Sequence, residues 1–61
     1  MREMTISHFA ENNRTIIHYI EDNEPRIREE YKGISIKTAE RKFREKHSLK
    51  GVKIEKRIHE H

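Results

Sequence analysis

From Thr5 to Ile20 the apolar side chains recur at intervals of three and four. Ile6, Phe9, Ala10, Ile16, Ile17 and Ile20 fall in the spacing of one helical face, with Asn13 as the polar member of the stripe. The chain has 61 residues, nine of them isoleucine, and a domain of this length is near the lower limit at which a core can hold a fold unaided. Wherever those isoleucines point, the core must follow. The stripe keeps its phase across Asn12-Asn13, which predicts a single helix over residues 5–22, with Thr5 or Ser7 accepting an orphan backbone N–H at its start. The alternative is a break at the Asn pair and a second helix from Arg14 or Thr15.

Pro25 stops that helix, because it has no backbone N–H and disfavours helical geometry in the residue before it. It also suits the first turn of a second helix over 25–32, "PRIREEYK", with Glu24 near the positive end of the dipole and with Ile27 and Tyr31 four apart on one face. Gly33 closes that helix. Ser35 caps a third, over 35–47, whose inward side is Ala39 and Phe43, and Ile34 just ahead of it points to the core. Past Ser48-Leu49-Lys50-Gly51 the period changes, and residues 52–58, "VKIEKRI", read as an extended segment. No internal repeat or low-complexity segment is visible.

Charge decides which half meets a partner. Residues 1–30 carry four basic and seven acidic side chains, whereas residues 31–61 carry ten basic and four acidic. The second half is the one suited to a polyanion. Without cysteine there is no disulfide framework, thiol nucleophile or thiolate metal site, which fits a reducing interior. The start, "MREMTISHF", lacks the apolar run of a signal peptide, and no stretch approaches a membrane span, so a cytoplasmic, intracellular protein is expected.

The stretch "KGISIKTAERKFRE" resembles the turn and second helix of a helix-turn-helix unit. Gly33 permits the sharp turn, Ile34 and Ala39 let two helices pack closely, Ser35 caps the second and Phe43 anchors it; Thr38 and Arg41 complete the pattern. It departs from the usual pattern at Glu29, where a small residue is common, and at Lys32, where an apolar one is. With the long helix before it and the Gly51-containing segment after it, the chain resembles a winged helix-turn-helix domain of bacterial, archaeal, phage or plasmid type. The resemblance implies a mainly α fold, one domain over 1–61, with a three-helix helix-turn-helix core and a short C-terminal β wing. It further implies a sequence-specific DNA-binding protein, a transcriptional regulator or a replication or recombination accessory factor, with helix 35–47 in the major groove.

On that reading Arg41 and Arg44 make bidentate contacts to guanine, Glu40 accepts from cytosine or pairs with Arg44, and Ile36 meets a thymine methyl. Ser35 and Lys37 meet phosphate, and Lys50, Lys53, Lys56 and Arg57 add backbone or minor-groove contacts from the wing. The expected partner is double-stranded DNA, bound by a possible homodimer joined through helix 5–22. The alternative is a protein-interaction module of winged-helix shape docking an acidic partner surface. No enzyme is expected: the acidic pairs Glu21-Asp22 and Glu29-Glu30 lack a nucleophile or phosphate-binding loop beside them. No cofactor or metal is expected either, since His59-Glu60-His61 offers two imidazoles without further ligands at metal spacing, and His8 and His18 read as surface residues of the first helix.

Overall fold

Between Arg2 and Glu21 the chain is extended, not helical. A computed structural model describes all residues, Met1–His61, and in it Arg2–Phe9 forms β1 and Arg14–Glu21 forms β2. They pair antiparallel, Met4 opposite Tyr19 and Ile6 opposite Ile17. The connection is a short 3-10 turn, Ala10–Asn12, that ends on Asn13 in the left-handed region at φ 48° and ψ 51°. Asparagine is among the few non-glycine residues that visit that region readily. The apolar stripe is therefore cut at its middle by a hairpin turn, and alternation takes over on either side. Met4 and Ile6 from β1, with Thr15, Ile17 and Tyr19 from β2, are buried, while Thr5, Ser7, Ile16, His18 and Ile20 face the other way. The runs Thr5-Ile6 and Thr15-Ile16-Ile17 are β-branched, which favours strand over helix.

The second expected helix is also a strand. Ile27–Lys32 forms β3, antiparallel to β2, with Thr15 opposite Tyr31 and Tyr19 opposite Ile27. Ile27 and Tyr31 do share a face, since residues four apart do so in a strand as well as in a helix. Glu29 between them lies on that same side, and its place in the helix-turn-helix pattern is thereby explained: it is an inward-facing strand residue that meets Lys46 and His47. The turn from β2 to β3 uses Asn23 at φ 63°, ahead of Pro25.

Only the third expected helix forms. Ile36–Lys46 is α1, capped by Ser35, whose hydroxyl accepts the Thr38 N–H at 3.2 Å, and buried at Ala39 and Phe43 as its spacing predicts. It lies on one face of the sheet. The core consists of Met4, Ile6, Ile17, Tyr19, Ala39, Phe43 and Leu49, ringed by half-buried Ile27, Tyr31, Ile34, Ile36, Val52 and Ile54. Gly33, at φ 75°, turns the chain from β3 into α1, and its N–H donates to the Asn13 carbonyl at 2.9 Å.

After α1 the chain loops through Ser48 to Ile54 and enters β4, Glu55–Glu60. β4 is not a wing. It pairs in parallel with β1, Ile6 opposite Ile58, and completes a mixed sheet of order β3-β2-β1-β4. A mainly α, three-helix winged helix-turn-helix core is thus replaced by four strands and one helix. The dimer contact expected of helix 5–22 falls with that helix, because its residues form the two central strands.

Candidate nucleic-acid interface

One face of the sheet carries α1 and the core; nothing packs on the other. The register sorts side chains onto this open face in cross-strand rows. One row runs Arg28, His18, Thr5, Arg57, and the next but one runs Lys32, Arg14, Phe9, followed by His61 beyond the end of β4. Between them lie Glu30, Ile16, Ser7 and His59. Towards the β2–β3 turn, Arg26 and Ile20 join Thr5, His18, Ile27 and Arg28 around a shallow hollow of about 340 Å³.

The sorting by residue type is uneven. Of seven arginines, four (Arg14, Arg26, Arg28 and Arg57) belong to the open face, whereas of seven lysines only Lys32 does. Arg26, Arg28, Lys32 and Arg57 are exposed and have no carboxylate within 4.0 Å. Arg14 is held in place: its guanidinium carbon lies 5.1 Å from the centre of the Phe9 ring, and its Nε is 3.3 Å from a Glu30 oxygen, off line for a hydrogen bond. Phe9 is stacked in turn on His61, with 4.6 Å between ring centres. Ile20 is 40% exposed on this face. The acids here are Glu3, Glu30 and Glu55, of which Glu3 and Glu55 lie opposite each other at the start of β1 and β4.

The residues expected from sequence to touch DNA are split by the fold. Lys37, Arg41, Lys50 and Lys53 are exposed on the helix side, without ion partners. Ser35 is spent on its cap, and Ile36 is half-buried against the core. Arg44 is internal: Nη1 donates to the carbonyls of Leu49 at 3.0 Å and Val52 at 2.8 Å, and Nε donates to Glu40 at 3.0 Å. It ties the loop after α1 to the helix. Glu40 also receives Lys56 Nζ at 2.7 Å, so neither of those two residues is free. Burial raises the Glu40 carboxyl, but the bonds from Lys56 and Arg44 outweigh it and leave the pKa lowered. Arg57 alone of the expected set lies on the open face.

Sequence reasoning missed Arg14, Arg26, Arg28 and Lys32. The available signal was the alternation Arg26-Ile27-Arg28 after the Pro25 turn, with basic residues at every second position around an inward-facing isoleucine. On the helix side, a second hollow of about 320 Å³ lies among Tyr19, Glu21, Pro25, Ile27, His47 and Leu49. Its Tyr19 hydroxyl donates to Glu21 at 2.6 Å, which lowers the Glu21 pKa, while burial first and then that bond raise the tyrosine's. No group of three or more His, Cys, Asp or Glu residues is placed to share a metal ion. No helix is long and apolar enough to cross a membrane.

Compared with protein-family models, curated proteins and solved structures, the chain matches none.

Proposed function

We propose that this protein binds double-stranded DNA through the open face of its sheet. The observation that carries the reading is the separation of arginine from lysine. Guanidinium groups pair bidentately with phosphate and guanine edges and stack on flat partners, whereas an ammonium on a flexible stem is as much a solubilising group as a ligand. The lysine-rich helix side is what a solvated surface looks like; four arginines on an uncovered sheet are not needed for solubility.

The dimensions support the same reading. Strands lie about 4.8 Å apart, which sets Arg28 on β3 and Arg57 on β4 about 14 Å from each other. The major groove is about 12 Å wide and admits a two-stranded ribbon. β1 and β2 are that ribbon, presenting Thr5, Ser7, Ile16 and His18 to base edges, and the outer strands bring Arg26, Arg28, Lys32 and Arg57 to the flanking phosphates.

The test is fluorescence anisotropy of a labelled mixed-sequence duplex at about 50 mM and about 200 mM salt. Arg28→Ala with Arg57→Ala should weaken binding and reduce the salt slope by about two, close to one per lost phosphate contact. Lys37→Ala with Arg41→Ala should leave both nearly unchanged. The opposite pattern would assign the contact to α1. Absence of binding at either salt would remove DNA and leave the second reading, an acidic protein surface docked on the same arginines.

A further inference from the structure

β4 has a free edge. His61 donates its N–H to the His8 carbonyl at 2.8 Å and accepts the Ala10 N–H at 3.3 Å, so the odd-numbered residues of this segment turn their backbone groups towards β1. Strand alternation then turns those of Lys56, Ile58 and Glu60 outward, with no partner strand. The side chains of these three residues lie on the helix side of the sheet, as the Lys56–Glu40 bond requires. Ile58 is 47% exposed there.

We propose that this edge pairs antiparallel with the same edge of a second copy, about a two-fold axis at Ile58. Such an axis, perpendicular to the sheet, keeps the two helix sides on one side and makes the contact isologous. The register it sets is complementary on the helix side of the sheet. Ile58 lies opposite Ile58 of the second copy, which covers the exposed apolar side chain. Lys56, whose ammonium keeps one N–H on Glu40 and has two more to donate, lies opposite Glu60 of the second copy, and Glu60 opposite its Lys56. On the open face Glu55 meets His61 of the second copy, and Arg57 meets its His59. The three outward-turned residues are the ones this register places in hydrogen-bonded pairs, so no edge N–H or carbonyl among them is left over.

Neighbouring registers fail. An axis at Arg57 sets two guanidiniums face to face and Lys56 against Ile58; an axis at His59 sets Ile58 against Glu60. On the other free edge, the β3 register that matches Arg28 with Glu30 places Glu29 opposite itself. Charged residues on an edge strand usually prevent such pairing. In β4 Lys56 and Glu60 are placed so that two-fold symmetry matches them. The product is one continuous sheet whose two open faces join, with Arg57 of both copies beside the axis.

The contact is small, so the association depends on concentration. Sedimentation between about 1 μM and about 1 mM chain, with amide exchange read residue by residue, tests it. The mass should rise from one chain to two. The amides of Lys56, Ile58 and Glu60 should exchange freely when dilute and slowly when concentrated, while those of Arg57, His59 and His61 stay protected throughout. Ile58→Pro removes an N–H that β1 does not use and should leave the far-UV spectrum intact while holding the mass at one chain. If that variant unfolds, Glu60→Lys decides, because it sets two ammonium groups opposite each other without touching any ion pair within the chain. A one-chain mass at every concentration would overturn the proposal. So would a dimer whose three edge amides exchange freely, or one that survives Glu60→Lys unweakened.

Discussion

Replacing Arg44 by alanine should remove much of the stability of this domain, although the residue belongs to a basic run that reads as surface. Its side chain is only 21% exposed, and the guanidinium group makes two bonds to loop carbonyls and one to Glu40. Hydrogen bonds to a charged group contribute about 1.5–3 kcal/mol each. The lower figure suits the bonds to the Leu49 and Val52 carbonyls, because a relaxed loop can return them partly to water. Losing the Glu40 pair adds less than about 1 kcal/mol, since Lys56 remains beside that carboxylate. The expected loss is therefore about 3–4 kcal/mol. A domain of 61 residues has about 3–9 kcal/mol in total. Urea titration followed by far-UV circular dichroism gives the measurement, with Arg41→Ala as the exposed control, which should change stability by no more than about 0.5 kcal/mol. By thermal melting the Arg44 variant should fall by more than about 12 °C. A loss under about 1 kcal/mol would refute the assignment of Arg44 to the loop and return it to the set available for a ligand.

Two further outcomes follow from the same contacts. Ser35→Ala removes the α1 cap and should lower stability by about 1 kcal/mol, with Ser35→Asp nearly neutral; equal losses in urea titrations of the two variants would show that the hydroxyl cap does not matter. Glu29 is held below its ordinary value of 4.5 by bonds from Lys46 and then His47, and Glu40 is also lowered. The unfolded chain therefore binds more protons than the folded one between those lowered values and about 4.5. That stability is fully present above the unfolded value and is lost as pH falls through the folded values. The urea midpoint should drop progressively below about pH 4.5, and Glu29→Gln should shrink that drop.

α1 was legible because every local signal agreed: Ser35 before it, Ala39 and Phe43 four apart, basic residues in its last turn. The hairpin was not, because Ile6, Phe9, Ala10, Asn13, Ile16, Ile17 and Ile20 satisfy a helical period although the structure divides them. Ile6 and Ile17 go to the core, Phe9, Ile16 and Ile20 to the open face, and Ala10 and Asn13 to the turn. The signals against a helix were the β-branched clusters and the Asn12-Asn13 pair. In β3, Ile27 and Tyr31 are compatible with either period, and only Glu29, which a helix would have placed on another face, separates them. Of the expected contact residues, Lys37, Arg41, Lys50, Lys53 and Arg57 are exposed and without ion partners, whereas Ile36, Glu40 and Arg44 are half-buried. The grouping of Arg57 with Arg14, Arg26 and Arg28 depends on strand order, which joins residues from three distant segments and has no local signature.

Strand order also sets the pace at which this molecule can assemble. The β1–β2 hairpin joins neighbours in sequence and can form within about 1–10 μs. The parallel pair that flanks β1 on its other side joins Glu3 to Glu55, and no short turn can bring those residues together. β1, a central strand in the finished sheet, therefore stays half-paired until nearly the whole chain has been arranged around it. For its size the domain has an unusually non-local closing step, so its folding rate belongs with slower mixed folds, not with small helical bundles.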